Sequence, residues 1–158
     1  MKIVVMSDTH LNRVTDEFKG ICARYCNDAD LIIHLGDWVS TSVLDHLSQY
    51  PLEAVAGNTD NHLIHDMLPA KKVIRADGRR LGIIHGWGSA TGLRGRLHGE
   101  FSGVDAILFG HTHRPLQLQE NGIFWFNPGS VFSGRATPER TLGILHVGER
   151  FEIEIIPI

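Results

Sequence analysis

Short apolar runs, each closed by glycine, serine or histidine, recur along the chain at Ile3–Met6, Leu31–Leu35, Ala54–Ala56, Ile83–Ile84 and Ala106–Phe109. Runs of this length, apolar at every position but His34, predict strands buried on both faces. Between the first two, Phe18, Ile21, Cys22 and Tyr25 recur at helical spacing and predict a helix over 15–27. A shorter helix is predicted over 40–49, with Val43, Leu44 and Leu47 on one face and Pro51 ending it. The order β-α-β-α-β begins a parallel sheet. The rhythm then changes. Strands over 71–76 and 80–85 flank Asp77-Gly78, a hairpin turn signal, and a glycine-diluted helix follows over 91–98. Beyond His113 the pattern predicts strands alone: 116–118, 123–126, 142–147 and 151–156. The last alternates Phe151, Ile153 and Ile155 with Glu152 and Glu154, as expected of a sheet with one wet face. The fold class is therefore α/β: two mixed β-sheets packed face to face with helices outside, in one domain over residues 1–158.

Composition narrows the function classes. With 158 residues and 42% hydrophobic content the chain suits a globular core, and it holds no apolar stretch of membrane-spanning length. A strand starting at the second or third residue leaves no room for a signal peptide. Cys22 and Cys26 lie four apart on one helix face, with no third cysteine to build a disulfide framework or zinc clip, so a reducing cytoplasm is expected. A net charge of −3 and no basic run beyond Lys71-Lys72 and Arg79-Arg80 give no nucleic-acid footprint; nucleic acid enters only as substrate ends.

The chemistry sits where the apolar runs stop. They run into Ser7-Asp8-Thr9-His10, Gly36-Asp37, Gly57-Asn58, His85-Gly86 and Gly110-His111-Thr112-His113. Ligands in open α/β sheets bind beyond the carboxyl ends of the strands, so Asp8, His10, Asp37, Asn58, His85, His111 and His113 are expected to converge at one sheet edge. Seven nitrogen and oxygen donors exceed the need of one divalent ion with an open position and suit two. In an extended segment residues two apart point the same way, so Asp8 and His10 are expected to grip one ion. Asp37 facing Asp8 requires a cation between them or a proton on one carboxyl.

In this order the motifs resemble those of the calcineurin-like metallophosphoesterases, and among them the small YfcE-like phosphodiesterases. The resemblance covers nearly the whole chain and extends to Asn127-Pro128-Gly129-Ser130, a turn frequent in these small members. It implies that Asp8, His10 and His113 hold one metal, that Asn58, His85 and His111 hold the other, and that Asp37 bridges them. It further implies a phosphodiesterase whose nucleophile is a metal-bridging hydroxide, with Asp37, Asn58 and His85 in the catalytic set. The partner is a small phosphodiester, with homo-oligomers common among small members. Donors of this kind, with no thiolate, suit Mn²⁺ first and also Ni, Co, Fe or Zn. The competing readings are a phosphomonoesterase or nucleotidase on the same site, and a non-catalytic protein-binding scaffold of the retromer-subunit type.

Two departures from the family pattern stand out. Where many relatives carry a leaving-group-protonating His after Gly-Asn, this chain has Gly57-Asn58-Thr59-Asp60. Asp60 and His62 are the catalytic candidates nearby, with His65 a further candidate acid on what reads as a loop. Where relatives often read His-Gly-His, this chain reads His85-Gly86-Trp87, and Trp87 either packs, the favoured reading, or stacks on a substrate ring. Arg94 and Arg96 are candidates for a second phosphate or a leaving group, and Asn12 and Arg13 for lining the pocket. His34 reads as a hydrogen-bonded core histidine and Trp38 as packing.

Overall fold

The computed structural model describes residues 1–132 and 139–158. Two five-stranded mixed sheets lie face to face. The first, β10-β9-β1-β2-β3, is built on β1 (Lys2–Met6), which runs parallel to β2 (Leu31–His34) and antiparallel to β9 (Thr141–Val147). β3 (Leu52–Ala54) and β10 (Phe151–Pro157) form its edges. The second, β4-β5-β6-β8-β7, places β6 (Ala106–Phe109) between β5 (Arg79–Ile84) and β8 (Ile123–Asn127), all three parallel. β4 (Lys71–Ala76) and β7 (Leu116–Glu120) close its edges antiparallel.

Strand alternation explains the layers. Along β1, Ile3 and Val5 enter the core between the sheets with Ile33, Leu81, Ile83, Leu108 and Phe126. Val4 and Met6 point the other way, onto α1 (Asp16–Tyr25) and α2 (Thr41–Leu47) through Phe18, Cys22, Val43 and Leu47. A third cluster seats α4 (Leu93–His98) on the far face of the second sheet, with Leu93 and Leu97 against Ile107, Phe109 and Trp125. The order is helix, sheet, sheet, helix, as the apolar runs predict. Each fully buried Leu, Ile or Val contributes about 1.5–3 kcal/mol.

Thr15 and Ser40 cap α1 and α2, accepting from Phe18 N and Ser42 N, so both helices start one residue inside the predicted spans. Asp77 and Gly78 turn the β4–β5 hairpin at φ 47° and 79°. Phe151, Ile153 and Ile155 of β10 face the inter-sheet core, with Glu152 and Glu154 exposed. The residues expected to form a loop around His62 and His65 instead form α3 (His62–Met67), capped by Asn61. Its six residues bury only Ile64, which leaves no periodic trace in the sequence. β3 ends two residues before the apolar run does, because Ala56 N turns away to donate to Pro69 O at 2.9 Å.

Candidate metal centre

All five donor-bearing segments follow the carboxyl ends of parallel strands: β1, β2 and β3 in one sheet, β5 and β6 in the other. There the seven sequence-predicted donors meet. His111 N donates to Asp8 Oδ2 at 3.1 Å, joining the two sheets directly at the site. Asp8, His10, Asp37 and His113 form a cluster whose ligand atoms all lie within 4.8 Å of one another. His113 Nε2 lies 2.9 Å from Asp8 Oδ1, and His10 Nε2 lies 3.7 Å from Asp8 Oδ1 and 3.5 Å from Asp37 Oδ2. Beside it, Asn58 Oδ1 lies 3.1 Å from His85 Nε2 and 2.9 Å from His111 Nδ1. Asp37 faces both groups, Oδ2 towards His10 and Oδ1 towards His85 at 3.3 Å. Asp8, Asp37, His85 and His113 are buried, while Asn58 is exposed and His10 and His111 half-buried at the rim.

The backbone does not place these donors as expected. Asp8 and His10 are not extended: they stand at φ 53° and 46°, and Asp37, His111 and His113 at 59°, 68° and 57°. Their side chains share a side because left-handed residues alternate across Thr9 and Thr112, rather than through strand geometry. Such φ values are costly for side-chain-bearing residues and cluster at functional sites. The flanking glycines are steric necessities. A Cβ on Gly110 would collide with Ser7 Oγ and lie 3.0 Å from Asp8 Oδ2; one on Gly57 would collide with Asp37 Oδ1.

Surrounding residues fix each donor. Asp8 Oδ2 accepts from Ser7 Oγ at 2.6 Å as well as from His111 N, which leaves Oδ1 for the centre. His85 Nδ1 donates to Leu35 O and His111 Nε2 to Gly88 O, both at 2.7 Å, so the ring nitrogens turned inward are free of protons when the rings are neutral. Asp60 is no acid poised over substrate. It is buried, and its carboxylate accepts from the backbone N–H groups of Gly57, Asp37, Trp38 and Val39 at 2.7, 3.1, 2.7 and 2.8 Å. It ties the Asp37 loop to the Asn58 loop. The Asn127–Ser130 turn does similar work: Asn127 Nδ2 donates to Gly110 O at 2.7 Å, and Ser130 Oγ to Asp8 O at 2.9 Å. His34, buried beneath the loops, accepts from Gly36 N through Nδ1 at 3.2 Å. Its Nε2 proton therefore faces Thr9 Oγ1 at 3.4 Å, and Thr9 in turn donates to Asp37 O. Trp38 stacks on it with ring centroids 3.5 Å apart, packed as expected.

The charges fit a cation. Burial alone would push the Asp8 and Asp37 carboxyls up. The facing imidazoles outweigh it, those of His10, His113 and His85 for Asp8 and that of His85 for Asp37, and hold both below the usual carboxylate range. Burial opposes charge on His85, yet Asp37 and Asp8 raise its pKa above the ordinary value. Asp8 Oδ1 and His10 Nε2 are buried with no hydrogen bond. Two buried polar atoms that lie against other members of a donor ring rather than in hydrogen bonds, His113 Nε2 at 2.9 Å from Asp8 Oδ1 among the neighbours, are what a site shaped for divalent ions would leave.

The other candidates have different duties. Arg96 donates to the carbonyls of Thr91, Trp87 and Ser89, and Arg94 pairs with Glu120 at 2.6 Å. Both guanidiniums are engaged by protein oxygens. Asn12 and Arg13 are exposed between β1 and α1, and His62 is exposed on α3. Trp87 does not pack in the core; it is 42% exposed.

Residues 1–150 match the profile of the calcineurin-like phosphoesterase superfamily domain. The whole chain aligns at 36% identity with 82% of a Methanocaldococcus jannaschii protein named "Probable metallophosphoesterase". Among solved structures, one described as a novel archaeal phosphodiesterase superposes with TM-score 0.75 at 25% identity, covering all of both chains. Vps29 of Entamoeba histolytica, solved with zinc, superposes with TM-score 0.74 at 18% identity over 99% of each chain.

Proposed function

The chain belongs to the calcineurin-like phosphoesterase superfamily, and on that footing we propose that it hydrolyses small phosphodiesters at a centre of two divalent ions. The observation that carries the reading is the convergence of two donor groups that share Asp37, in the first of which the buried Asp8 Oδ1 and His10 Nε2 lie against fellow donors without a hydrogen bond. Asp8, His10 and His113 would hold one ion and Asn58, His85 and His111 the other, with Asp37 between. When bound, such ions lower the pKa of water and neutralise charge on a phosphoryl group. Manganese is the first candidate, and Fe, Co, Ni and Zn suit the same oxygen and nitrogen donors.

The chain's own residues supply orientation. Asp60, His34 and the Asn127–Ser130 turn hold the donor loops in place, and the carbonyl partners of His85 Nδ1 and His111 Nε2 leave the inward nitrogen of each neutral ring as the lone-pair donor. Asn58 and His111 at the rim leave the centre open to substrate. No acid stands in the slot of Thr59, whose N–H instead donates to Asp37 Oδ1 at 2.9 Å. That favours diesters with good leaving groups over monoesters, since general acid catalysis is worth about 10²–10⁴-fold for a poor one. The Vps29 likeness bears on the fold alone. Buried free Cys22 and Cys26 favour a reducing compartment, the cytoplasm.

The test is hydrolysis of bis(p-nitrophenyl) phosphate by manganese-loaded protein alongside metal analysis. Asp37→Ala and Asn58→Ala are expected to remove turnover, and Asp37→Ala to lower bound metal from two ions per chain. Full turnover in both variants refutes the site.

A further inference from the structure

Directly beside Asn58 and His85 the surface opens into a cavity of about 290 Å³. Ala56, Ala70 and Ile84 give it apolar walls, and His65 and Trp87 stand at its sides. The cavity thus shares two side chains with the metal centre, so a ligand held there can also reach the ions' donors. Its size is at the low end for small-molecule sites, enough for one flat ring system and too small for an oligomer.

Three features say what kind of group it takes. Trp87 is the exposed tryptophan of this chain, 42% accessible where Trp38 and Trp125 are buried, and it lines the cavity beside Asn58 and His85 rather than the core. A large aromatic left open to water beside an active centre is apolar surface awaiting a partner. The ring is carried on a braced loop: Arg96 donates to the carbonyls of Trp87 at 3.0 Å and Thr91 at 3.1 Å, and also to Ser89. Presenting it costs little further ordering on binding. Finally, the charge at the rim is cancelled. Lys71 Nζ lies 2.6 Å from Glu100 Oε2, so among the described lining residues the one Lys is paired rather than set for a second phosphate. An uncharged ring with a polar edge fits it, the edge within reach of His65.

We propose that this cavity holds the base of a nucleoside phosphodiester, stacked on Trp87, while the phosphate lies at the donor ring. The inference rests on the phosphoester reading of the adjoining donors and narrows it to nucleotide diesters carrying a single base in the cavity. Trp87, which replaces the family's frequent histidine, becomes a specificity-determining residue.

Binding tests this independently of turnover. Metal-loaded protein is titrated by calorimetry with adenosine 5′-monophosphate and with ribose 5-phosphate, which differ only in the base. Stacking of one base is worth about 1–3 kcal/mol, so the nucleotide is expected to bind about 5- to 150-fold more tightly. It should also quench tryptophan fluorescence, because Trp87 is the indole that a bound ring can reach. Trp87→Ala should bring the two affinities to within about twofold, and Trp87→Phe should retain most of the preference. Equal affinities in the unaltered protein, or a preference that survives Trp87→Ala, overturn the proposal. A preference lost in Trp87→Ala and kept in Trp87→Phe supports it, whatever the aryl diester assay returns.

Discussion

His34 makes the fold acid-sensitive in a way that can be calculated. Its ring is fully buried between Thr9, Gly36 and Trp38, and burial drives its pKa down to about 3 from an ordinary 6.5. In the unfolded chain the ring takes up a proton below pH 6.5; in the folded protein it stays neutral until about pH 3. Because the unfolded state binds the extra proton, folding loses stability as pH falls through that window. At about 1.4 kcal/mol per pH unit, lowering the pH from 7.5 to 5.0 costs about 2 kcal/mol from this residue alone. The perturbation is His34→Gln, whose amide can still accept from Gly36 N and donate to Thr9 while carrying no titrating group. Urea denaturation of both proteins, freed of metal with chelator and run at pH 7.5 and 5.0, isolates the difference from the other titrating groups. The variant starts less stable at pH 7.5 because the stack on Trp38 is lost. Its further loss on acidification is expected to be about 2 kcal/mol smaller than the unaltered protein's. Parallel losses would show that His34 is protonated in the folded protein near its ordinary pKa, and the burial argument would fail.

Two further outcomes follow from the loops. Asp60→Asn places an amide NH₂ against one or more of the four backbone N–H groups that the carboxylate now satisfies. It should cost about 3 kcal/mol in urea denaturation and lower metal occupancy; a loss under about 0.5 kcal/mol would remove Asp60 as the tie between the Asp37 and Asn58 loops. Thr59→His should raise turnover of a phosphomonoester by about 10²-fold with little effect on an activated diester, and no gain would mean that the missing acid does not limit the reaction.

The strands were legible because each apolar run is also a buried run, and the ends of those runs pointed to all seven donors. What stayed hidden was hidden for identifiable reasons. α3 is too short and too exposed to print a period, burying only Ile64. The extended geometry expected for Asp8 and His10 came from their spacing of two, a spacing that left-handed backbone satisfies equally well; only the adjoining Ser7, Gly36 and Gly110 hinted at tight loops. Asp60 looked like an acid near the chemistry because sequence reports a carboxylate and not what it accepts. Its place three residues after Gly57 was the one available signal, since that spacing suits a side chain folding back onto Gly57 N. Ser130 and Asn127 act on residues more than a dozen positions away, and Arg96 on carbonyls, which have no side-chain signature at all.

The left-handed backbone at Asp8, His10, Asp37, His111 and His113 has a consequence for how this molecule and its function are linked. Each such residue costs the native state about 1 kcal/mol or more compared with glycine in the same conformation. Together they consume a sizeable share of the 5–15 kcal/mol by which a typical domain outcompetes its unfolded chain. Ions bound as proposed would therefore meet a cradle whose shape was settled during folding, and would not need to reorganise it. By the same reasoning, a descendant relieved of its chemistry could exchange these donors for glycine and become a sturdier protein.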